Sequence, residues 1–388
     1  MPDLDALRRI VDARLPLFRE QLAQLVNIDC GSYTPAGVNR VADFVADALQ
    51  RLGADVERIE HHPEDGRPTL GDLVIGRLSG DGPHLLLIGH MDTVFDPGTA
   101  AERPYRSIGS RAFGPGVTDM KAGLLAGLHA IGALHEAGVH PAVTFVANPD
   151  EEIGSPFSTP HIRALAPHHA AVLVLECARA NGDIVSARKG IADYHLTFVG
   201  RAAHAGVEPE KGRSAILEAA RQAVALHALN GRWPSVTVNA GVIRGGTRPN
   251  VVAERCELQV DLRAATVEAF EAATAELERL AGTPTVEGVA VEIRRIAGHP
   301  PMEKSPASGR LVETAVAIAT ELGFELRDAA TGGASDANTT AALGIPTLDG
   351  LGPVGGDDHS VDEWLDLDSV GPRTTLLAAL IARANEAL

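Results

Sequence analysis

The chain has 388 residues, of which 45% are hydrophobic and 22% are charged, and this length predicts more than one hydrophobic core. Its formal net charge of −17 argues against a nucleic-acid binder, because phosphates require a basic surface, and against an anionic membrane surface. The three cysteines are widely spaced, which excludes a disulfide framework. The sequence shows neither a signal-peptide core nor an apolar stretch of membrane length, so we expect a cytoplasmic protein.

Hydrophobic periodicity predicts alternating helices and strands over the first half of the chain, which is the pattern of an α/β domain. The run HLLLIGH at residues 84–90 is almost continuously apolar, as expected for a buried parallel strand. The predicted helices are 3–26, 37–53, 120–136 and 156–166. The predicted strands are 55–59, 73–78, 84–88, 142–147, 171–175 and 184–187.

The pattern changes at residue 191, where a β-α-β-β-α-β order begins that is typical of a ferredoxin-like domain with an antiparallel sheet. Its predicted elements are strand 191–200, helix 214–229, strands 235–243 and 257–262, helix 267–281 and strand 290–296. After Pro301 the predicted elements are helix 308–322, strand 346–348 and helix 369–387. We therefore predict an α/β domain made of two segments, 1–189 and 298–388, interrupted by a smaller α+β domain at 190–297.

The first candidate functional residue is His90, in the motif GHMDTV. It follows a predicted buried strand, and open α/β sheets place their sites at the carboxyl ends of strands. Asp92 lies two residues further on, close enough to hydrogen-bond the imidazole and fix its tautomer. A surface turn or a helix N-cap explains the HxD pattern equally well when the pattern is taken alone.

Asp119, in GPGVTDMKAG, precedes the helix that is predicted to start at Met120. Glycines on its N-terminal side suit a backbone that turns tightly around a site. Taken alone, Asp119 is equally well explained as the N-cap of that helix, a position that aspartate favours.

The acidic segment NPDEEIGS follows the strand predicted at 142–147. Adjacent carboxylates usually lie in a solvated loop, but these follow a buried strand, where solvation is less complete. A metal explains the segment, with Glu152 as a ligand and Glu151 beside it as a general base. Glu176 ends the apolar run AAVLVLE and has the same placement.

His359, in GGDDHS, follows a glycine-rich stretch. A single histidine in such a position is more often an ordinary loop residue than a ligand. Imidazole nitrogens together with carboxylate oxygens nevertheless form a donor set that suits Zn²⁺, with Co²⁺ or Mn²⁺ as possible substitutes. The proposed ligands are His90, Asp119, Glu152, Glu176 and His359.

In their order along the chain, these motifs resemble the co-catalytic zinc aminopeptidase/aminoacylase family, which includes glutamate carboxypeptidase, acetylornithine deacetylase and succinyl-diaminopimelate desuccinylase. The resemblance covers essentially the whole chain, and the glutamate carboxypeptidase (carboxypeptidase G) type is nearest. It implies a mixed-sheet zinc-peptidase catalytic domain with an inserted ferredoxin-like lid and dimerisation domain. It also implies two zinc ions per subunit and a homodimer. The matching motifs are GHMDTV, GPGVTDMKAG, DEE, LE, GRAAHAG and the terminal HS.

The resemblance implies a role for each matching ligand. Asp119 would bridge two metals. His90 and Glu176 would complete one metal site, and Glu152 and His359 would complete the other.

Other roles follow from the same resemblance. Glu151 would be the general base, and Asp92 would orient His90. His204, in GRAAHAG, would reach into the active site of the partner subunit. Judged without the resemblance, His204 is better explained as a turn residue near a strand end.

Substrate recognition is implied less completely. Asn250, in GGTRPNVV, matches a position where the family has an asparagine near the substrate, and Arg248 is close by in sequence. The segment 332–338, which includes Gly333, could hold an anion at a helix N-terminus. His299 stands where carboxypeptidase-like members often have an arginine, so a bidentate guanidinium contact to a carboxylate is lost at that position.

The sequence therefore predicts a dinuclear zinc hydrolase of an amide bond in small peptides or N-acyl amino acids that bear a free carboxylate. An N-acyl-amino-acid deacylase and a carbamoyl-type amidohydrolase are alternatives. A protein that keeps the fold but only binds its ligand is a further alternative, although Glu151 and all five ligand positions are intact.

Overall fold

The structure is a computed structural model that describes residues 3–64 and 66–388, so that residues 1, 2 and 65 of the predicted α/β domain lie outside the described residues. In chain order the helices are α1 (Leu4–Val26), α2 (Pro35–Arg51), α3 (Thr99–Glu102), α4 (Ala122–Glu136), α5 (Ser158–Leu165), α6 (Ala215–His227), α7 (Val267–Ala281), α8 (Pro306–Leu322), α9 (Asp336–Ala341), α10 (Val370–Ala382) and α11 (Ala384–Ala387). The strands are β1 (Asp55–Ile59), β2 (Leu73–Leu78), β3 (Asp81–His90), β4 (Arg106–Ile108), β5 (Arg111–Phe113), β6 (Pro141–Asn148), β7 (Ala171–Val174), β8 (Ile184–Arg188), β9 (Gly190–Val199), β10 (Thr237–Gly245), β11 (Arg255–Ala264), β12 (Ala290–His299), β13 (Asp328–Thr331), β14 (Thr347–Leu348), β15 (Gly355–Gly356) and β16 (Trp364–Asp366).

Residues Met1–Ser186, Lys304–Ala330 and Ser335–Leu388 form one compact unit. Its main sheet has six strands in the order β1-β2-β6-β3-β7-β14. The four strands β6, β3, β7 and β14 run parallel, whereas β1 and β2 are antiparallel to their neighbours. This mixed sheet confirms the predicted α/β class.

The centre of this unit is buried because its elements are apolar without interruption. In β3, residues 85–88 are all buried, as expected for a parallel strand with neighbours on both sides. All thirteen residues of α4 from Ala122 to Leu134 are also buried, and a helix that is apolar all round belongs inside a core. Helices α1 and α10 pack against α4.

Residues Ala187–Glu303 and Thr331–Ala334 form a second compact unit. It contains a four-stranded antiparallel sheet in the order β10-β11-β9-β12, against which α6 and α7 pack. The elements follow the predicted β-α-β-β-α-β order. Inward-facing side chains build a separate core, among them Tyr194, Leu196, Leu258 and Val260. The domain bounds predicted from the sequence, 1–189, 190–297 and 298–388, stay predictions. A role of the second unit as a lid also stays a prediction.

Several short elements have no counterpart among the predicted ones. Strands β4, β5, β15 and β16 form a small sheet in the order β15-β16-β5-β4. Each has only two or three residues, which is too short for a hydrophobic period to be visible in the sequence. Helix α9 has only six residues, which is also too short for a hydrophobic period to be visible.

The described residues include no helix that is both long and apolar enough to cross a bilayer. All three cysteines are free, as their spacing suggests. Burial raises the pKa of the Cys30 thiol and that of the Cys256 thiol, so neither has the thiolate character of a nucleophile.

Gly123 tests how closely α4 packs on the sheet. A Cβ at this position would lie 1.9 Å from the backbone carbonyl oxygen of Leu175, which follows β7. We expect Gly123→Ala to lower the free energy of unfolding by about 1–3 kcal/mol, because backbone cannot move aside as a flexible side chain can. Chemical denaturation followed by circular dichroism measures this change.

Gly132, in the same helix, provides the matched control. A Cβ there would meet only the end of the Arg14 side chain, which can shift. Gly132→Ala should therefore be neutral or stabilising, since alanine favours a helix over glycine. Equal losses in the two variants would contradict close packing of α4 at Gly123.

Candidate metal centre

The side chains predicted to follow strands lie at one edge of the six-stranded sheet. β3 ends at His90, which is in register with Asn148 at the end of the parallel strand β6. The turn Glu151–Ile153 follows β6, and Glu176 follows β7 on the other side of β3. Because parallel strands present their carboxyl ends at the same edge, three separate segments deliver polar groups to one place.

Asp119 connects the two histidines of the predicted set. Its Oδ1 lies 3.0 Å from Nε2 of His90, and its Oδ2 lies 3.1 Å from Nε2 of His359. Nε2 of His359 is also 3.0 Å from Oε2 of Glu152, and Nε2 of His90 is 3.6 Å from Oε1 of Glu176. The structure thus brings the five predicted ligands together around one carboxylate, while their function as ligands stays a prediction.

The surroundings of His90 indicate which ring nitrogen carries a lone pair. Nδ1 lies 3.0 Å from the backbone carbonyl oxygen of Asp92, which only accepts hydrogen bonds, so Nδ1 carries the hydrogen. In a neutral imidazole Nε2 is then an acceptor, yet it faces carboxylate oxygens of Asp119 and Glu176 that are acceptors as well. A metal cation resolves this conflict, because it accepts a lone pair from each of the three atoms.

The spacing of these atoms is close to that expected around a zinc-like ion. Zn²⁺ binds imidazole nitrogen and carboxylate oxygen at about 2.0–2.2 Å, so the corners of its tetrahedron are about 3.3–3.6 Å apart. The separation between His90 and Glu176 is 3.6 Å, and the other three nitrogen–oxygen separations are 3.0–3.1 Å, somewhat shorter than these corners. Two groups of three residues bring ligand atoms within 4.8 Å of one another. They are His90 with Asp119 and Glu152, and His90 with Glu151 and Glu176.

The carboxylates make this edge of the sheet strongly electronegative. Burial alone would raise the pKa of Asp119, but the two histidines hold that pKa well below its usual range. Hydrogen bonds to Asp119 and Glu152 raise the pKa of His359 to about 11. Burial raises the pKa of Glu151 far above its usual value, and the nearby charge of Glu176 adds to the rise. Such a cluster attracts cations and equips Glu151 to hold a proton.

Asp92 supports two parts of the site at once. Its Oδ1 lies 3.4 Å from Nδ1 of His90, so its backbone carbonyl oxygen rather than its carboxylate orients the ring. The carboxylate instead accepts the hydroxyl of Ser32 at 2.6 Å and the backbone N–H groups of Glu151 and Glu152, each at 3.1 Å. One residue therefore fixes both the imidazole and the turn that carries the acidic pair.

A buried polar network also supports this turn. Asp150, the residue before the acidic pair, accepts the hydroxyl of Ser158. Asn148 and Ser155 both donate to the carboxylate of Asp336 at the start of α9, the serine at 2.6 Å. These residues are all buried, so their hydrogen bonds restrict the turn at both of its ends.

Glu363 links the segment of His359 to the loop of Asp119. Its side chain is buried, with 1% of the residue exposed. Oε2 accepts the backbone N–H of Gly116 at 2.9 Å, and Oε1 accepts those of Thr118 and Asp119 at 2.9 and 3.1 Å. Since Glu363 lies four residues after His359, it joins two ligand-bearing segments across 244 residues of sequence.

The backbone around His359 adopts an unfavourable conformation. His359 has a φ of 61° and Asp357 a φ of 54°, in the left-handed region that non-glycine residues rarely adopt. Nε1 of Trp364 donates to the carboxylate of Asp357 at 3.0 Å, and Nη1 of Arg103 donates to the carbonyl oxygen of Ser360 at 3.2 Å. These contacts hold the loop in the conformation that directs the imidazole towards the carboxylates.

Three other predicted residues lie close together in the second unit. His204 forms an isolated β-bridge with Val251. The backbone N–H of Ala205 donates to the carbonyl oxygen of Asn250 at 3.0 Å, and that of Val251 donates to the carbonyl oxygen of Arg248 at 3.2 Å. Two paired loops thus carry His204, Arg248 and Asn250.

The remaining predicted positions have contacts of their own. The carbonyl oxygen of Gly333 accepts Nη1 of Arg188 at 3.2 Å, and His299 is the last residue of β12. The N-terminus of α9 is capped by Ser335, whose hydroxyl accepts the N–H of Ala337 at 3.2 Å. Because the chain itself binds this N–H, anion binding near Gly333 stays a prediction without added support.

Sequence spacing does not identify three of the supporting residues: Ser32, Asp336 and Glu363. Each acts through a backbone or side-chain contact with a distant segment. The weak hint for Glu363 is an acid shortly after a candidate ligand, a pattern that also fits many solvated loops.

Comparison with known proteins relates this site to others. Residues 86–383 match the sequence model of peptidase family M20/M25/M40. Carboxypeptidase G2 of Pseudomonas sp. (strain RS-16) is 32% identical over 372 residues, which cover 94% of this chain and 89% of that protein. Succinyl-diaminopimelate desuccinylase of Leptothrix cholodnii is 29% identical over 368 residues, which cover 87% of this chain and 93% of that protein. The crystal structure of aminopeptidase PepT from Bacillus cereus has a TM-score of 0.75 at 25% identity and covers 98% of each chain.

Glu363 provides a test of the site's supporting structure. In Glu363→Gln an amide N–H group replaces one of the oxygens and faces a backbone N–H, so at least one of the three hydrogen bonds is lost. We expect the affinity for Zn²⁺ to fall about 10- to 100-fold, as for other residues that orient metal ligands. Competition with a chromogenic chelator measures this affinity.

The exposed residue Glu20 on α1 supplies the control. Glu20→Gln should leave the affinity for Zn²⁺ unchanged. If Glu363→Gln also binds Zn²⁺ with unchanged affinity, the contacts of Glu363 do not position the metal ligands.

Proposed function

The chain belongs to the peptidase family M20/M25/M40 and is a hydrolase, and we propose that it cleaves an amide bond in small peptides or N-acyl amino acids that bear a free carboxylate. The observation that carries this proposal is the convergence of two imidazoles and two glutamate carboxylates around Asp119, with Glu151 beside them. The resemblance to carboxypeptidase G2 over most of both chains supports a glutamate-carboxypeptidase-like activity.

Two Zn²⁺ ions per subunit are the proposed cofactors, with Co²⁺ or Mn²⁺ as substitutes. His90 and Glu176 would hold one ion, Glu152 and His359 would hold the other, and Asp119 would be shared. When bound, the ions lower the pKa of water and polarise the carbonyl group of the scissile amide.

Glu151 is the proposed general base. It lies in the same turn as Glu152, but its carboxylate belongs to the group of ligand atoms around Glu176. It takes the proton of the attacking water and passes it to the leaving amine. Asp92 holds the backbone N–H of Glu151 and so keeps the base in position.

His204, Arg248 and Asn250 are the proposed substrate residues. They lie on two paired loops, and they offer an imidazole, a guanidinium and an amide for a carboxylate or an oxyanion. Gly333 remains a candidate for contact with the substrate carboxylate.

A homodimer in which His204 serves the partner subunit belongs to the same proposal. The sheet order leaves one side of β10 open, because β10 is an edge strand. Helix α6 packs beside β10 and exposes the apolar residues Leu217 and Val224, which are seven positions apart and share one helix face. Ile243 of β10 is exposed as well. An apolar helix face beside an open strand supports self-association.

Two other reactions remain candidates. The desuccinylase that resembles this chain over most of its length favours N-acyl-amino-acid deacylation. His299, in place of a possible arginine, leaves room for a carbamoyl-type amidohydrolase that needs no guanidinium at that position. Three free thiols support a reducing, cytoplasmic location.

Neighbouring glutamates allow the base and a ligand to be distinguished. Glu151→Gln should keep its metal and lose kcat by about 10²- to 10⁴-fold, because only the proton acceptor is removed. Glu152→Gln should lose metal as well as activity. Metal content by atomic emission and initial rates on a panel of N-acetyl amino acids, N-carbamoyl amino acids and dipeptides provide the readouts. Loss of metal from Glu151→Gln with retained metal in Glu152→Gln would reverse the proposed roles.

Metal removal tests the cofactor. Dialysis against a chelator should abolish hydrolysis, and Zn²⁺, Co²⁺ or Mn²⁺ should restore it. The metal-free protein should also unfold at a lower temperature, because its buried carboxylates are no longer neutralised and the binding free energy is lost. Full activity in the metal-free protein would contradict the proposed mechanism.

An exposed side chain on α6 tests the dimer. Val224 is 72% exposed, and Val224→Asp should convert a dimer to a monomer in sedimentation velocity, because a buried unpaired carboxylate is costly. Ile108, on β4 of the first unit, is 61% exposed and serves as the control. Ile108→Asp should leave the oligomeric state unchanged. A wild-type monomer at micromolar concentration would contradict the homodimer.

A further inference from the structure

The first unit contains a cavity whose lining includes none of the proposed metal ligands. It lies between α1 and α2, and buried residues of α4 form its floor. Helix α1 packs on α4, whereas α2 packs on β1 and β2. The cavity has a volume of about 390 Å³, which is within the range of sites that hold small molecules. We call it the helix pocket.

Helical spacing brings the lining residues of the helix pocket to one face of each helix. On α1, Leu17 and Gln21 follow Arg14 by three and seven positions, and α2 contributes residues at a spacing of the same kind. Such spacings place side chains on one side of a helix. Ala48 of α2 and Gly132 of α4 contribute little or no side chain to the lining, which leaves room between the helices.

His129, in the floor of the helix pocket, is 4% exposed, and its Nδ1 has no hydrogen-bond partner among the described residues. Its Nε2 lies 2.8 Å from the side-chain oxygen of Gln21, which only accepts hydrogen bonds, so Nε2 carries the hydrogen. Burial and the charge of Arg14 lower the pKa of His129 to about 4. The ring is therefore neutral at pH 7, and Nδ1 is a buried acceptor. Phe18 contacts this ring edge-to-face at 5.2 Å between centroids and helps to fix its orientation.

Arg14 provides a donor that also lacks a partner. Its Nη1 donates to the carboxylate of Glu136, but its buried Nε has no hydrogen-bond partner within the described chain. Arg14 and His129 are neighbours, since the charge of the one lowers the pKa of the other. Buried polar groups without partners are costly. One hydroxyl group satisfies both, because it accepts a hydrogen bond from Nε and donates one to Nδ1.

The rim of the helix pocket carries a positive charge. Arg51, in the last turn of α2, is exposed and has no ion-pair partner among the residues that the structure describes. Glu136 neutralises Arg14, so the lining has an excess of positive charge, although the chain as a whole has a net charge of −17. A guanidinium group at such a rim favours a carboxylate, which it binds through two parallel hydrogen bonds.

Much of the remaining lining is apolar. Leu17 of α1, Phe44 and Leu52 of α2 and Leu128 of α4 all line the helix pocket. Leu17 is 46% exposed, so a ligand that fills the pocket also removes apolar surface from water. The lining therefore fits a molecule with an apolar body as well as polar groups.

We propose that the helix pocket is a binding site for a small hydroxy acid with an apolar body. Its hydroxyl group pairs with Nδ1 of His129 and Nε of Arg14, and its carboxylate pairs with Arg51. The apolar body contacts the leucine and phenylalanine side chains of the lining. None of these residues takes part in the proposed amide hydrolysis, so the inference goes beyond the proposed function and does not depend on it.

The test measures the binding of 4-hydroxyphenylacetate and phenylacetate to the metal-loaded protein by isothermal titration calorimetry. The two acids differ only by one hydroxyl group. The wild type should bind the hydroxy acid about fivefold more tightly, as expected for one neutral hydrogen bond. His129→Phe keeps a ring beside Phe18 and should bind both acids equally. No binding by the wild type at millimolar concentration, or equal binding of the two acids, would overturn the proposal.

Two arginines on α2 test the contact with the carboxylate. Arg51→Gln should weaken the binding of 4-hydroxyphenylacetate about tenfold, because a charged hydrogen-bonded pair is lost. Arg40 is exposed on the same helix but does not line the helix pocket, so Arg40→Gln should bind the acid as the wild type does. Equal weakening in both variants would reveal a general effect of charge and contradict a specific contact with Arg51.

Ala48→Met separates the helix pocket from every other place where the acid can bind, the metal centre included. The longer side chain enters the cavity from α2, so this variant should lose the binding of 4-hydroxyphenylacetate without a fall in Tm. Thermal unfolding verifies that the variant is folded. Binding with wild-type affinity in Ala48→Met would show that the acid lies elsewhere and would overturn the helix pocket as its site.

Discussion

Repulsion among buried carboxylates is the constraint on which the rest of this structure depends. Asp119, Glu151, Glu152 and Glu176 lie together at one edge of a sheet, with their oxygens a few ångströms apart. Like charges at such separations are costly away from bulk water, and two histidines offset only part of that cost. If His90 is neutral, the lone pair of its Nε2 also faces oxygens rather than a donor. A divalent cation would both neutralise the carboxylates and accept the lone pair of Nε2. The supporting hydrogen bonds are therefore explained as parts of a metal centre.

The hydrogen bonds that support the site hold the ligand-bearing segments in place against the same repulsion. Ligands come from separate segments, so each segment must be fixed before the negative charges can be held together. Asp92 fixes the acidic turn through two backbone N–H groups, and Glu363 fixes the loop of Asp119 through three. Both use buried carboxylates that accept from backbone, and such bonds are stronger than neutral ones. Burial raises the pKa of Glu363 to about 7, and the three backbone hydrogen bonds oppose part of that rise.

Much of this arrangement can be predicted from the sequence because strand ends are visible in it. A continuous apolar run followed by a histidine or an acid locates His90, the acidic turn and Glu176, and parallel strands then bring them to one edge. His359 and Asp119 lie in loops and are recognisable only through the order of motifs along the chain. The roles of Ser32 and Glu363 depend on contacts between distant segments, which spacing does not encode. The small sheet of β4, β5, β15 and β16 is not predicted, because its strands are too short to show a hydrophobic period in the sequence.

The most direct test of a dinuclear centre is anomalous X-ray diffraction from crystals grown with Zn²⁺, with data collected on either side of the zinc absorption edge. We expect two anomalous peaks, one on each side of the Asp119 carboxylate. The first should lie within bonding distance of His90 and Glu176, and the second within bonding distance of Glu152 and His359. No peak at Asp119, or zinc bound only at other residues, would contradict the proposal that this cluster of carboxylates exists to hold metal ions.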